Sequence, residues 1–168
     1  MIHLMNLTLA LTIPITLGAL CGTISERGGI IMLGVEGMML MGAFSAVLGS
    51  YVTGSAIIGV LFAMLVGGLL GFLYCLFCLK FKAHQSVIGV GLNLFASGIT
   101  KVLLKAIWGQ EGMSTFVDTI GKVNLPRLKS IPVIGPIFFD QSPFLYLTLV
   151  IVAAVWFVFY RSKFGLRY

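Results

Sequence analysis

Five runs of apolar residues, each long enough to cross a bilayer, divide this chain, and the polar residues collect between them. A spanning helix needs about 20 mostly apolar residues. The pattern predicts spans over 5–24, 30–50, 55–79, 85–108 and 143–160. Turns at 25–29, around 52–54 and at 80–84 join the first four, and one long polar stretch, 109–142, precedes the fifth. The expected fold is therefore all-α and polytopic, in a single transmembrane domain, with a tail over 161–168.

The runs differ in what interrupts them. In the first, Pro14 sits near the middle and predicts a kink, and Gly18 and Gly22 leave one smooth patch. The third carries Gly59, Ala63, Gly67 and Gly71 at every fourth position. Small residues so spaced share a helical face and let backbones approach, so this ladder is read as packing. The fourth carries Gly89, Asn93, Ser97, Lys101 and Lys105 at the same spacing, and here the face is polar. Asn93 and Ser97 fall near mid-membrane in a regular helix. Interhelical hydrogen bonding accounts for them, and so does a solute pathway; the continuity of the stripe favours the pathway.

The second run holds the least expected residue. Glu36 lies between Gly34 and Gly37 in Gly34-Val-Glu-Gly37. An ionised side chain in hydrocarbon costs about 2.5–3.5 kcal/mol on insertion scales, so a carboxylate there needs a reason. Counting about 1.5 Å per residue from Ile30 puts Glu36 about 9 Å inside the span, deeper than an end cap. Two readings stand side by side: Glu36 lines a solute pathway, or it pairs with a base such as Arg27 and fixes packing.

Composition sharpens this picture. Hydrophobic residues make up 59% of the chain and charged residues 10%, too few charges to cover a water-soluble domain. The formal charge of +6 would point to nucleic acid in a soluble protein. Here the bases cluster at the ends of apolar runs, as membrane orientation requires, and no nucleic-acid partner is expected. Arg27, Lys80, Lys82, Arg161, Lys163 and Arg167 share one side if the spans alternate, which makes that side cytoplasmic and the 109–142 loop extracellular. No Lys or Arg precedes Arg27, so the first run is read as a retained span rather than a secretory signal. Cys21, Cys75 and Cys78 lie within apolar runs and imply no disulfide framework.

Catalytic patterns are missing from the sequence. No phosphate-cradling glycine loop ending in Gly-Lys occurs, and His3 and His84 belong to no metal-ligand cluster. No catalytic residue, metal or cofactor bound by this chain is expected.

The stretch SERGGIIMLGVEGMMLMGAF (25–44) resembles the signature of permease subunits of ABC importers for nucleosides and simple sugars. The resemblance continues in order through HQSVIGVGLNLFASGIT (84–100), IPVIGPIFFDQSPFLYL (131–147) and KFGLRY (163–168). Departures fall at His84, where that family usually has Asn, and at Gly29 and Met32. The resemblance implies the N-terminal half of a type II importer fold, like that of the vitamin B12 permease, in a bacterial plasma membrane. It marks Ser25, Glu26, Arg27 and Gly37 as the signature turn; the solute pathway is expected, from the polar face of the fourth run and the broken second run, at Glu36, Asn93 and Ser97. It also implies that Arg161, Lys163, Phe164, Gly165, Leu166 and Arg167 begin the segment facing the ATPase. The implied partners are a separate ATP-hydrolysing subunit, a second permease subunit, an extracellular solute-binding lipoprotein and membrane lipid. Two rival readings remain from the residues alone: a proton- or cation-coupled secondary transporter using Glu36, and a membrane scaffold.

Overall fold

A computed structural model describes residues 2–109 and 143–161. Every regular element among them is an α-helix: α1 (Ile2–Arg27), α2 (Val35–Thr53), α3 (Ala56–Leu79), α4 (Gln85–Trp108) and α5 (Pro143–Arg161). All five are long and apolar enough to cross a membrane. The expected loop from 110 to 142 and the tail from 162 lie outside the described residues, and with it Lys163, Phe164, Gly165, Leu166 and Arg167.

Several boundaries shift by one to five residues, and two of the shifts bear on the site. The first helix continues through Ser25, Glu26 and Arg27 instead of stopping at residue 24. The second begins at Val35, five residues later than the apolar run suggests. Apolar runs mark what can sit in lipid, and residues 28–34 are apolar without being helical. Gly28 and Gly29 explain the first break. The Gly29 N–H donates to the Glu26 carbonyl at 3.0 Å and the Ile30 N–H to the Ser25 carbonyl at 3.1 Å. With Gly29 at φ +80°, this is the paired-bond helix stop that a left-handed residue makes possible.

The described residues form two compact units. One holds α1 as far as Ile24 together with α5. In it Thr8, Thr12 and Thr16 each donate a hydroxyl to the carbonyl four residues earlier at 2.8 Å, and Thr148 does the same to Phe144 at 2.7 Å. These hydroxyls satisfy themselves within their own helices, the arrangement that lipid demands. Thr12, Thr16, Leu145 and Thr148 line a small cavity of about 220 Å³ between α1 and α5.

The other unit begins at Ser25 and contains α2, α3 and α4, with α2 packed against both neighbours. At the α2–α3 crossing a Cβ on Gly59 would stand 2.5 Å from the Ala46 carbonyl oxygen, and one on Gly49 3.1 Å from the Gly59 Cα. Gly67 and Gly71, two rungs of the same ladder, have nothing within 4 Å of an added Cβ. The ladder thus serves the α2–α3 contact only in its first half. Gly59→Ala is expected to destabilise the purified protein by about 1–3 kcal/mol through overpacking. Gly67→Ala should be neutral or gain up to about 1 kcal/mol from helix propensity. Melting curves in detergent distinguish the two.

At one end of this unit the Trp108 indole meets Phe44 and Tyr51 edge-on, with centroids 6.2 and 5.5 Å apart. Aromatic residues of this kind suit a membrane–water interface. Arg27 belongs to the opposite end, because the segment that follows it is bonded to Gln85 at the start of α4. Lys80 and Lys82 sit in the turn just before that residue, so these three bases share one end.

Candidate functional site

The site is the entry into α2, where backbone without helical hydrogen bonds runs alongside α4. Such backbone is tolerated at membrane depth only if protein or water satisfies its polar groups. Three side chains do so. The Ile31 N–H donates to the Gln85 Oε1 at 2.9 Å, and the Gln85 Nε2 reaches the Gly29 carbonyl at 3.5 Å. The Tyr74 hydroxyl, on a side chain with no exposed surface, lies 2.8 Å from the Ile31 carbonyl and 3.2 Å from that of Gln85. Deeper in, the Gly37 N–H donates to the Asn93 Oδ1 at 2.8 Å, and the Asn93 Nδ2 donates to the Leu33 carbonyl at 3.2 Å.

Asn93 supplies what α2 lacks. Gly34 occupies the N-cap position and has no side chain to accept a first-turn N–H. Gly37 is the third residue of the helix, the position an N-cap side chain normally serves. Asn93 therefore caps α2 from another helix. The glycines make room for it: a Cβ on Gly37 would lie 2.8 Å from the Asn93 Oδ1 and 3.0 Å from its Cα. A Cβ on Gly34 would meet the Leu92 Cδ2 at 3.0 Å, and one on Gly89 the Leu33 Cβ at 2.7 Å. The three glycines and the asparagine form one interlocked crossing of α2 and α4.

This crossing sets the depth of Glu36. Gln85 and Asn93 are eight residues apart on α4, or about 12 Å along its axis, and the segment from Gly29 to Gly37 follows them. Glu36 consequently stands in the first turn of α2, yet roughly 12 Å in from the end of α4. The expectation that it lies too deep for an end position is corrected in part: it is an end position, at depth, because the helix starts there. A carboxylate in a first turn also complements the helix dipole, which stabilises it by about 0.3–1 kcal/mol. Its side chain is exposed, about 100° around the helix from buried Gly37.

The polar stripe of α4 is not one surface. Gly89 is buried beneath Leu33, and the Asn93 amide is occupied at both ends. Among the described residues Ser97 bonds the Leu94 carbonyl of its own helix, at 3.0 Å, and Lys101 and Lys105 are exposed. Of the signature turn, Ser25 directs its hydroxyl to the Met32 sulfur at 3.3 Å, while Glu26 and Arg27 are exposed in the last turn of α1. Arg161 is exposed at the end of α5. Tyr74 and Gln85 are the residues that sequence reasoning missed. A phenol inside an otherwise apolar run needs a partner, and that was the available signal. No group of three potential metal ligands occurs among the described residues.

Comparison with known families settles what kind of chain carries this crossing. Residues 4–168 match the model of the branched-chain amino acid transport system permease component. The chain belongs to that permease family. It is 34% identical over 167 residues to the guanosine ABC transporter permease protein NupQ of Bacillus subtilis, covering 95% of this chain and 52% of that one. To the nucleoside ABC transporter permease protein NupC of Lactococcus lactis it is 35% identical over 161 residues, covering 92% and 50%. A putative glucose ABC transporter permease, TsgC13 of Haloferax volcanii, is 34% identical over 164 residues, covering 98% and 50%. This permease chain thus spans about half the length of the curated relatives it matches. No solved structure matches it. Membership and five spanning helices make it a multi-pass plasma-membrane protein.

Proposed function

We propose that this permease chain forms part of the solute pathway of an ATP-driven importer for nucleosides or related simple sugars. The observation that carries the reading is its collinear similarity, over more than nine-tenths of its length, to permeases named for guanosine and for nucleosides. ATP is hydrolysed on a separate subunit. A second permease subunit completes the pathway, and an extracellular lipoprotein delivers the solute.

The entry into α2 supports this reading physically. A pathway must replace water around hydroxyls and base edges without holding the solute too tightly to release it. A helix that starts at membrane depth offers its dipole and first-turn carboxylate to that task, and such broken helices recur where transporters line a cavity. The clamp of Tyr74, Gln85 and Asn93 holds the geometry; Glu36, exposed beside it, faces the solute or the remaining subunits. Arg161 and the residues after it begin the surface that meets the ATPase.

The test is uptake of labelled guanosine and ribose into proteoliposomes holding the complete assembly. Uptake is expected to require ATP, to stop with vanadate and to survive a protonophore. Uptake that survives vanadate and collapses with a protonophore would instead establish the secondary-transport reading that Glu36 also allows. In the same assay Glu36→Gln is expected to lower uptake severalfold while leaving assembly with the partner subunits intact. Unchanged uptake would remove Glu36 from the pathway.

A further inference from the structure

Between α3 and α4 lies an apolar groove of about 350 Å³ lined by Leu70, Leu73, Phe77, Ile88, Gly91, Leu92 and Phe95. On α3, positions 70, 73, 77 and 80 recur at intervals of three, four and three, so they form one helical stripe. Lys80 continues that stripe beyond the groove lining, at the C-cap of α3 where the turn to α4 begins. Lys82 follows in that turn, held in a left-handed conformation at φ 49°. Both lysines and His84 are exposed. The Phe77 and Phe81 rings lie 5.6 Å apart beside them.

The length of the groove and the charge at its end point to an occupant. From residue 70 to residue 80 the stripe is about 15 Å long, half of the roughly 30 Å hydrocarbon core and so one leaflet deep. An extended alkyl chain can lie along a stripe of this length. The groove walls carry no hydrogen-bonding side chain, while two lysines follow in the α3–α4 turn, at the level of a lipid headgroup. Basic pockets between spanning helices at that level bind anionic headgroups.

We propose that this groove is a binding site for an anionic phospholipid, with one acyl chain along the Leu70, Leu73, Phe77 and Ile88, Gly91, Phe95 stripes and its phosphate at Lys80 and Lys82. Leu92 lines the groove and also packs at Gly34, so the groove backs onto the α2 entry, but its occupancy does not depend on which solute is carried.

Native mass spectrometry of the full chain in neutral detergent, titrated with phosphatidylglycerol or phosphatidylcholine of identical acyl chains, tests it. The wild type is expected to retain phosphatidylglycerol in preference to phosphatidylcholine. The exposed double variant Lys80→Gln/Lys82→Gln should lose about fivefold in affinity per lysine, roughly 30-fold together. Gly91→Leu should weaken retention of both lipids, because nothing lies within 4 Å of a Cβ there and the new side chain enters the groove without moving backbone. Equal retention of the two lipids, no retention of either, or either variant binding phosphatidylglycerol like the wild type would overturn the proposal. The outcome in which neither lipid binds would assign the groove to another helix.

Discussion

Asn93→Leu is expected to destabilise the protein by about 1–3 kcal/mol, the cost of one buried donor left without its partner. That donor is the Gly37 N–H; the Leu33 carbonyl, which also loses a bond, is exposed. Interhelical hydrogen bonds in membranes average only about 0.6 kcal/mol, since an unpacked helix still satisfies its own backbone. That offset is missing here, because the segment before Val35 is not helical and has no internal partners for these groups. Ser97→Ala, one turn further along α4, removes a bond to its own helix and should change stability by less than about 1 kcal/mol. Unfolding in mixed micelles measures both. If Asn93→Leu leaves stability unaltered but changes uptake, Asn93 acts on the solute alone and the capping role is wrong.

Gly89→Leu should have a larger effect by a different route. A Cβ at this position would already stand 2.7 Å from the Leu33 Cβ, 3.1 Å from its carbonyl carbon and 3.2 Å from the Gly34 nitrogen. Two of those three atoms are backbone and cannot rotate away. Overpacking of a tight core costs about 1–3 kcal/mol for added methylenes, and four heavy atoms forced into this crossing should exceed the upper end. The result expected is loss of folded protein, read as yield after detergent extraction and a fall in melting temperature. Gly91→Leu, two residues away with open space around it, is the matched control and should be recovered at wild-type yield. Equal yields from the two variants would mean that α4 does not pack against the α2 entry.

These predictions rest on residues that the linear pattern marked but could not interpret. Gly34, Gly37 and Gly89 read as interruptions, and Asn93 as one member of a stripe. The stripe spacing was a sound guide to which residues share a face of α4. It could not say that the face is covered at Gly89 and Asn93 and exposed at Lys101 and Lys105, because exposure depends on what packs against a helix. Likewise the third-run ladder divides after Ala63, with Gly59 against Ala46 and Gly67 facing nothing. Tyr74 and Gln85 escaped notice because their partners are backbone groups more than ten residues away in sequence. The two carboxamides and the phenol act together only once α3 and α4 stand beside residues 28–34.

What the sequence determined by itself is the environment of each segment. Twenty-residue apolar runs can satisfy their backbones in lipid only as helices, so span number, helical class and the end at which Arg27, Lys80 and Lys82 gather all followed from composition and spacing. The fourth span was read to the residue, since Gln85 and Trp108 bound it with a polar turn and a glycine. Only the tertiary structure decided where the second helix starts. Residues 28–34 are as compatible with lipid as a helix in side-chain terms, and helical backbone there would need no outside partners. The close approach of α4 at Gly34, Gly37 and Gly89, with amide side chains replacing the lost backbone bonds, makes the non-helical path affordable. That exchange places Glu36 in a first turn at membrane depth.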